Sequence, residues 1–546
     1  MKKEYSNILL LAIAACIIVF VSCKKKEDSL AAMRQFMPSG DISIKTSETY
    51  AILDWDVAIN ADSNSTSYTV ILSQDSLFTD GAEFTYTTDS SRIWLYDTAI
   101  GVRKTYYARI KTNGATSDLD SKWVYSEGFK ITGVQIFSAI REVELMATQV
   151  TLRWTPTEGV EKITLTTAAG VSTDYDLTET EISTGVKVIL DLTSSTKYEA
   201  EIFAGTVSKG YLSFTTPALE AVTISLSPGA DLVTVLDTCS DGAVIGLAPG
   251  TYSEGITSNY VIKSKTVTIK STSGSPDDTK VYFKEFDIKG TGAGITLNGI
   301  DFQGVSTTSA LYFLNLVGLN SDAEAATFTN ITVYNCYVHD YGNCLLRGNR
   351  GTSAGYHVIG TIQFRNCIAY NNALTNYYTE FTLDKLTFTK LYISNSTFYM
   401  MGQNLISCAT TLSVSTLPVI SVDGCTFNNF GANSKYALLD ANANPVTASF
   451  TNSIFANTPR SGTVQSAALR ASGTGTTVTF AYNNYFNLQN GSSANLTFPS
   501  TVTMSSNWTT DLGWTATTTD FTLPEGSVFR SAGSTGGAIG DPRWAY

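Results

Sequence analysis

Three charged residues in the second half of the chain occupy the same place in a short recurring pattern. Arg347, Asp440 and Arg470 each follow two apolar residues, Leu-Leu or Ala-Leu. Because equivalent positions of a repeated unit carry equivalent side chains, we expect these three to project from one face of the protein. Two guanidinium groups in one row would bind a ligand that carries carboxylates. The pattern therefore predicts a site for an acidic chain molecule.

Aromatic and basic residues extend this predicted binding surface. His339, Tyr370 and Tyr399 recur three positions after equivalent points of a repeat, and Arg365 lies between the first two of them. Planar rings on successive units can stack against the C–H faces of sugars, so we predict that all four contact substrate. The alternative, given equal weight, is that the rings only shield the flank of the fold.

An enzymatic alternative gives roles to other residues. Removal of a proton next to a sugar carboxylate needs a base and a group that neutralises the carboxylate. Lys385 or Arg347 would be the base, and Asp340 and Asp384 would hold a calcium ion through their oxygen atoms. Simple binding needs no cofactor. The competing interpretation treats these residues as ordinary exposed strand and turn positions, and with two histidines in the chain a histidine-dependent hydrolase is not expected.

The elements that must position these residues follow from a long repeat. A small residue recurs in each unit at spacings of 31, 29, 29, 28 and 30 residues. We call these residues the anchors, and they are Cys336, Cys367, Ser396, Cys425, Ser453 and Asn483. Apolar residues alternate around the anchors, which indicates strands, and the longer period indicates that each strand returns above the preceding one. We therefore predict a parallel β-helix with the anchors buried inside it.

Composition and charge limit the classes of protein to which the chain can belong. It has 546 residues, of which 43% are hydrophobic and 15% are charged, and long stretches with helical spacing are missing. The fold is therefore expected to be all-β. A net charge of −12 argues against a nucleic-acid partner, and an acidic ligand would need a local basic patch or a bridging cation.

The N-terminal segment has the features of a secretion signal that ends in a lipid-modified cysteine. Two lysines precede an apolar run over residues 8–21, and Cys23 follows. The run is short for a permanent membrane helix. We therefore predict a signal peptide over 1–22 and a tether over 23–36 whose lipidated Cys23 attaches the protein to a membrane. The alternative is an uncleaved anchor with an incidental cysteine.

Two similar segments follow, over 37–132 and 133–216. Each opens with an alternating strand that ends in a tryptophan, Trp55 or Trp154, and each later carries the pattern Tyr-x-Ala-x-Ile. These features resemble fibronectin type III domains, which are small β-sandwiches. The resemblance implies that the modules act as spacers, and sugar binding by either module is the less favoured alternative.

The rest of the chain, 217–546, resembles a right-handed parallel β-helix of the pectate-lyase type. The resemblance rests on the segment Asp241–Tyr252, which is similar to the first coil of those proteins. The Trp-Ile-Asp-His and Arg-x-Pro-x-x-Arg motifs of pectate lyases are absent from the sequence. At about 29 residues a coil, the length of this segment predicts roughly ten coils.

The whole combination, which ends in Gly-Asp-Pro-Arg-Trp at residues 540–544, resembles surface lipoproteins from glycan-utilisation loci of Gram-negative gut bacteria. The resemblance implies a surface-exposed protein of the outer membrane that binds pectin-like polysaccharide and works with an outer-membrane glycan importer. The first hypothesis for function is therefore a lipid-anchored polysaccharide-binding protein. The alternatives are a lyase that cleaves uronate-containing glycans by β-elimination and a structural or adhesive surface rod.

Overall fold

The architecture is that of a computed structural model, which describes residues 33–59, 66–79, 83–322, 324–348, 357–372, 378–410 and 417–545. The predicted signal peptide, Cys23 and most of the predicted tether lie outside these residues. The chain forms two compact units. One extends to Ile140 and resumes over Ala147–Pro217, and the other combines Arg141–Met146 with the chain from Ala218 onward.

The first part of the N-terminal unit is a sandwich of two antiparallel sheets. Its strands are β1 (Ser39–Thr46), β2 (Tyr50–Asp56), β3 (Tyr68–Ser73), β4 (Phe84–Thr88), β5 (Arg92–Tyr96), β6 (Tyr107–Thr112) and β7 (Val124–Tyr125). One sheet has the order β1-β2-β5, and the other has the order β4-β3-β6-β7. Alternating apolar residues, including Trp55, fill the space between the two sheets.

The second part of this unit is a similar sandwich. Its elements are β8 (Val150–Arg153), β9 (Lys162–Thr167), β10 (Ser172–Asp176), helix α1 (Glu179–Thr184), β11 (Val186–Ile189), β12 (Lys197–Ala204) and β13 (Val207–Thr215). One sheet has the order β10-β9-β12-β13, and β11 pairs with β8 in the other. All of these pairs are antiparallel.

The same tyrosine hydrogen bond occurs in both sandwiches. The backbone N–H of Gly101 donates to the hydroxyl of Tyr106 at 3.1 Å, and that of Thr193 donates to the hydroxyl of Tyr198 at 2.9 Å. A tyrosine that bonds to backbone a few residues upstream, at the corner leading into a strand, is typical of immunoglobulin-like sandwiches. Together with the strand order, this confirms the predicted pair of fibronectin type III-like sandwiches.

From Ala218 onward the chain is a parallel β-helix built of three sheets. The first sheet contains β14 (Ile224–Leu226), β15 (Ala243–Leu247), β18 (Thr266–Ser271), β21 (Gly294–Asn298), β24 (Ala326–Thr327), β25 (Ile331–Tyr334), β28 (His357–Arg365), β31 (Leu386–Ser394), β34 (Val419–Asp423), β37 (Thr447–Thr451), β40 (Thr477–Ala481) and β42 (Val502–Ser505). The second sheet contains β16 (Gly250–Tyr252), β19 (Thr279–Phe283), β22 (Asp301–Gly304), β26 (Tyr337–His339), β29 (Ile368–Tyr370), β32 (Thr397–Tyr399), β35 (Thr426–Asn428), β38 (Ile454–Thr458) and β41 (Asn484–Leu488). The third sheet contains β17 (Tyr260–Lys263), β20 (Phe286–Lys289), β23 (Tyr312–Val317), β27 (Cys344–Arg347), β30 (Phe381–Thr382), β33 (Ile406–Ser407), β36 (Leu439–Asn442) and β39 (Leu469–Ala471).

Helices are few in the described part of the chain. Helix α2 (Leu232–Thr238) begins the β-helix and packs Leu232 and Leu236 into its core. Short 3-10 turns lie at Ser117–Leu119, Glu142–Glu144, Val528–Arg530 and Pro542–Trp544. None of the helices in the described residues is long and apolar enough to cross a bilayer. Because strands greatly outnumber the short helices in the described residues, the predicted all-β fold class is confirmed.

The anchors form a buried column where the first sheet turns into the second, as their spacing predicted. Several of them are joined by hydrogen bonds from coil to coil. The backbone N–H of Cys425 donates to Oγ of Ser453 at 3.0 Å, and the N–H of Ser453 donates to Oδ1 of Asn483 at 2.9 Å. The residue before each anchor has a positive φ, which reaches 57° even at Tyr482. The turn therefore demands the left-handed conformation that Asn and Gly adopt most readily.

In the described part of the chain eight strands make up the third sheet, so the β-helix has about eight complete turns and the expected ten coils were too many. Strands of the first and second sheets lie beyond the third sheet at both ends, so the terminal coils are incomplete. The C-terminal tail, which we define as residues 506–545, adds one parallel bridge from Trp508 to Asn484 of the second sheet and then leaves the coil. It packs its apolar residues, among them Trp514 and Phe521, with Tyr399 and Ile454 of the second sheet. The tail therefore covers a flank of the β-helix instead of extending it.

Candidate functional site

Outward-facing residues of the third sheet form a row that we call the polar column. Its members occupy paired positions on successive strands and are Asp287, Asn315, Arg347, Thr382, Ser407, Asp440 and Arg470. Successive members are one strand spacing apart, about 4.8 Å. The structure thus places Arg347, Asp440 and Arg470 on one face, as the recurring sequence pattern predicted.

Arg347, the third member of the polar column, lies over the ring of Tyr312, with 5.0 Å between the guanidinium carbon and the ring centroid. The guanidinium donates to Asp322 at 3.1 Å and to the side-chain carbonyl of Asn315 at 3.3 Å. Burial lowers the pKa of Arg347, but the charges of Asp322 and Tyr312 outweigh burial and raise the pKa above its usual value. Arg347 therefore stays a cation, which suits anion binding better than proton abstraction.

At the end of the column, Arg470 forms a two-point ion pair with Asp440, with N–O distances of 2.8 and 2.9 Å. The guanidinium carbon of Arg470 lies 4.9 Å from the ring centroid of Tyr436. Arg347 and Arg470 thus repeat one motif, an arginine that pairs with a carboxylate and stacks on a tyrosine. Four strand steps separate Arg347 from Arg470, which corresponds to about 19 Å.

The middle of the polar column is covered by Asp384, one of the predicted calcium ligands. Its two carboxylate oxygens accept hydrogen bonds from Oγ of Ser407 and from the backbone N–H of Thr410, both at 2.8 Å. Lys385, a predicted base, follows in a turn with a φ of 60° and is half-buried. Asp384 and Lys385 follow shortly after Thr382, which is the column member paired with Arg347.

The other predicted calcium ligand, Asp340, belongs to a different cluster at the second sheet. His339 Nδ1 lies 2.9 Å from Asp340 Oδ2, and His339 Nε2 lies 2.9 Å from Asp301 Oδ1. Burial lowers the pKa of His339, but the hydrogen bonds and charges of Asp301 and Asp340 raise it above its usual value. Asp340 and Asp384 thus have separate partners. In the described part of the chain, no group of three or more His, Cys, Asp or Glu could hold a metal ion.

The rings of His339, Tyr370 and Tyr399, which were predicted to stack against sugar, stack on one another along the second sheet. The ring of Tyr370 lies 4.7 Å from that of His339 and 4.9 Å from that of Tyr399, with interplanar angles of 7° and 2°. Tyr399 is only 9% exposed, because Phe521 of the tail packs against it with 5.7 Å between ring centroids. The stack therefore stands apart from the polar column, and the tail covers one end of it.

Arg365, the last predicted binding residue, lies at the end of β28 in the first sheet. Its guanidinium forms an ion pair with Glu142 and lies 5.4 Å from the ring centroid of Tyr334. The side-chain amide of Asn366 also donates to Glu142, at 3.2 Å. Arg365 therefore holds the segment Arg141–Met146 against the β-helix. The predicted binding residues are distributed over all three sheets, and only Arg347, Asp440 and Arg470 share the polar column.

A pair of carboxyl groups that was not predicted from the sequence lies beside Arg347. The side-chain amide of Asn315 donates to Glu285 and, at 3.1 Å, to Asp287. Burial, followed by the hydrogen bond and charge of Asp287, raises the pKa of Glu285 to about 8. Glu285 therefore carries a proton at neutral pH. The spacing of these acids, two positions apart where a strand begins, places them on one face and was a usable signal.

A second missed carboxyl group, Glu380, lies inside the β-helix wall. It accepts hydrogen bonds from the hydroxyl of Tyr341 at 2.9 Å and from the backbone N–H of Gly402 at 2.8 Å. Burial raises the pKa of Glu380 to about 7, although the charge of Arg460 acts in the opposite direction. Because this group is fully buried, it stabilises the turns around it and does not contact a ligand.

Comparisons with known proteins cover parts of the chain. Residues 420–544 match a domain of unknown function (DUF5123), so the match spans the last coils and the tail. No curated protein matches the chain. Among solved structures, the chain is similar to the FN1–FN3 domains of chicken CNTN1, with 12% identity over 34% of this chain and 68% of that one and a TM-score of 0.15.

Two further solved structures, also from chicken, are similar to about a third of the chain. A two-domain fibronectin type III segment of tenascin has 15% identity over 33% of this chain and 97% of that one, with a TM-score of 0.17. The interferon gamma receptor alpha chain has 12% identity over 33% of this chain and 98% of that one, with a TM-score of 0.15. At such scores the likeness carries no argument. The sandwich assignment rests on the strand order and the tyrosine hydrogen bonds of this chain.

Proposed function

We propose that the polar column binds a polysaccharide that carries carboxylate groups, on a protein that a lipid at Cys23 attaches to the outer surface of a cell. A β-helix joined to two β-sandwiches fits a surface or structural protein. The observation that supports the ligand class is the repeated motif of arginine, carboxylate and tyrosine at Arg347 and Arg470.

Each motif offers groups that match an acidic sugar. A guanidinium binds a carboxylate through two parallel N–H bonds, and Arg470 already binds Asp440 in this way. A ligand carboxylate would exchange with Asp440 or Asp322 at the same donors. The C–H face of the sugar would pack on the tyrosine ring next to each arginine. The ion pairs within the protein therefore hold both arginines ready for an incoming anion.

The separation of the motifs favours a chain over a single sugar. Since the motifs lie four strand steps, about 19 Å, apart along the β-helix, a linear polymer laid along it would meet the same motif twice. Binding at the first motif raises the effective concentration of the chain at the second. We therefore expect affinity to rise steeply with chain length. No cofactor is required, although calcium shared between Asp384 and ligand carboxylates would strengthen the complex.

The test is affinity electrophoresis of the soluble chain, lacking residues 1–23, in gels that contain polygalacturonate with and without millimolar calcium. We expect the double variant Arg347→Gln/Arg470→Gln to bind about 10-fold more weakly, since two charge-assisted contacts are lost. The matched control is Arg365→Gln, which removes an ion-paired arginine from the first sheet. No retention of the wild-type protein on polygalacturonate would refute the proposal and favour a structural rod.

Cleavage of the bound chain is a second candidate, favoured by the carboxyl pair beside Arg347. In β-elimination a base removes the proton next to the sugar carboxylate, and an acid protonates the departing oxygen. Glu285, which is protonated at neutral pH, would supply that acid, and Lys385 would be the base. Absorbance of unsaturated uronate that appears with wild-type protein and is lost in Glu285→Gln would support this activity. Binding without such absorbance would leave a binding protein.

The surface location is tested separately from the ligand. We propose that lipidated Cys23 holds the protein on the outer membrane, next to an importer that takes up the captured glycan. In a bacterial host, Cys23→Ala should move the protein from the membrane fraction to the soluble fraction, and protease added to intact cells should cleave the wild type. A protein that stays in the membrane fraction after Cys23→Ala would instead have an uncleaved anchor.

A further inference from the structure

We infer that the first sandwich carries a separate sugar-binding platform formed by Trp94 and Tyr96, with Tyr50 beside them. The three residues lie on the outer face of the sheet formed by β1, β2 and β5. Trp94 and Tyr96 are 43% and 48% exposed, although aromatic side chains of this size are usually well covered. Neighbouring exposed rings mark an interaction site rather than scattered surface residues.

The three rings form one cluster, in which the plane of Tyr50 is tilted by 51° to that of Trp94 and by 65° to that of Tyr96. The ring planes of Trp94 and Tyr96 are within 16° of parallel with centroids 6.1 Å apart, and the ring of Tyr50 lies 4.9 Å from that of Trp94. Ile52 pairs with Trp94 and points out of the same face, yet it is only 8% exposed. Neighbouring side chains therefore cover Ile52. Trp94 and Tyr96, as an exposed and nearly parallel pair, can pack against the C–H face of a pyranose ring.

Polar side chains border the rings on the same face. Lys45 pairs with Ile52 on the side away from Trp94, so it lies in the same row of the sheet. Arg92, two positions before Trp94, forms an ion pair with Asp54. Cationic donors and a carboxylate acceptor next to apolar rings are the arrangement that fixes a sugar through its hydroxyl groups.

The size of the platform favours a sugar over a protein partner. An aromatic side chain buries roughly 150–250 Å² when it is fully covered, so two half-exposed rings offer roughly 200 Å². A stable protein interface needs about 800 Å² on each partner. One or two sugar units would cover the rings completely. The inference does not rest on the polar column, because the platform belongs to the other compact unit.

The experiment measures binding of the full soluble chain to three probes, polygalacturonate, hydroxyethylcellulose and galactomannan, by affinity electrophoresis. The platform variant is Trp94→Ala/Tyr96→Ala. The matched control is Tyr125→Ala, which removes an aromatic ring that is 55% exposed on β7 of the opposite sheet. We expect the platform variant to lose about 10-fold or more in affinity for at least one probe and the control to lose none. A variant that carries Trp94→Phe in place of Trp94→Ala should bind more tightly than the platform variant, because it keeps a ring at this position.

The double variant Arg347→Gln/Arg470→Gln separates this inference from the proposed function. If the platform binds sugar, that variant keeps the affinity that the platform variant loses, whether or not the polar column binds anything. Equal mobility of the wild type and the platform variant on all three probes, with unchanged circular dichroism, would overturn the inference. The exposed rings would then be a docking surface for another class of partner.

Discussion

Arg470 donates from Nε and Nη2 to the two carboxylate oxygens of Asp440, one strand below it in the polar column, at 2.8 and 2.9 Å. The arrangement uses the donors that a ligand carboxylate would need. Asp440 is therefore an internal competitor at the proposed binding site, and its removal should have the opposite effect to removal of the arginine.

Opposite effects are accordingly predicted for Asp440→Asn and Arg470→Gln. Because a partly exposed ion pair contributes at most about 1 kcal/mol, we expect Asp440→Asn to raise the affinity for polygalacturonate about 2- to 5-fold and Arg470→Gln to lower it by a similar factor. Titration calorimetry at low and high salt measures both changes, which should shrink as salt increases. A loss of affinity in both variants would mean that the pair serves the fold.

The buried carboxyl of Glu380 predicts stability that falls as pH rises. Its pKa is about 7 in the folded protein against 4.5 for an unperturbed glutamate, so the folded state binds this proton more tightly than the unfolded state. The stabilisation is complete below pH 4.5 and is lost as pH rises through 7, for a total of about 3 kcal/mol. Glu380→Gln should remove this dependence.

The measurement for Glu380 is the thermal midpoint of the β-helix between pH 5 and pH 8, followed by circular dichroism. His339 also has a raised pKa and contributes with the same sign, so the informative quantity is the difference in slope between wild type and variant. Identical slopes for wild type and Glu380→Gln would show that this carboxyl group titrates normally.

The anchor column predicts unequal costs for two small substitutions. Ser453 Oγ donates to the carbonyl of Thr451 at 2.7 Å and accepts the N–H of Cys425 at 3.0 Å. Ser453→Ala leaves the buried N–H of Cys425 without this acceptor, whereas the carbonyl of Thr451 keeps a bond from the N–H of Gly424, and should cost about 1 to 3 kcal/mol. Cys425→Ser should cost less than about 1 kcal/mol, since its Sγ already donates to the carbonyl of Asp423 in the same way.

Denaturant unfolding of both anchor variants, monitored by circular dichroism, gives the two free energies. The β-helix core has no large side chain at either position, so differences in cavity volume are small. Equal destabilisation by the two substitutions would show that the hydrogen bonds between anchors are not the source of the preference for small polar residues.

The C-terminal tail predicts a strong dependence of stability on one aromatic residue. Phe521 is fully buried and packs on Tyr399, Trp514 and Trp544. Phe521→Ala should destabilise the β-helix by about 3 to 5 kcal/mol and increase the fluorescence of a hydrophobic dye as the second sheet becomes uncovered. Val528→Ala, at an exposed position of the same tail, is the control and should change neither quantity.

Much of the β-helix could be predicted because its information is local. Alternation around each anchor determines which side chains point inward, and a repeated pattern determines which ones share a column. Arg347, Asp440 and Arg470 were placed together on this basis, and their strands do pair in that register. Tyr482, which precedes the last anchor, adopts the same left-handed turn as its asparagine counterparts.

The all-β class, the length of a coil and the face on which each strand residue lies follow from the sequence pattern. The partners of those residues follow from the three-dimensional fold: Arg365 pairs with Glu142, Phe521 packs on Tyr399, and Glu285 lies beside Arg347. The physical reason is that strand alternation acts over two residues, whereas these contacts join loops, a tail and coils far apart in the chain. The paths of these loops and of the tail depend on the packing of the whole β-helix, which no local sequence pattern encodes.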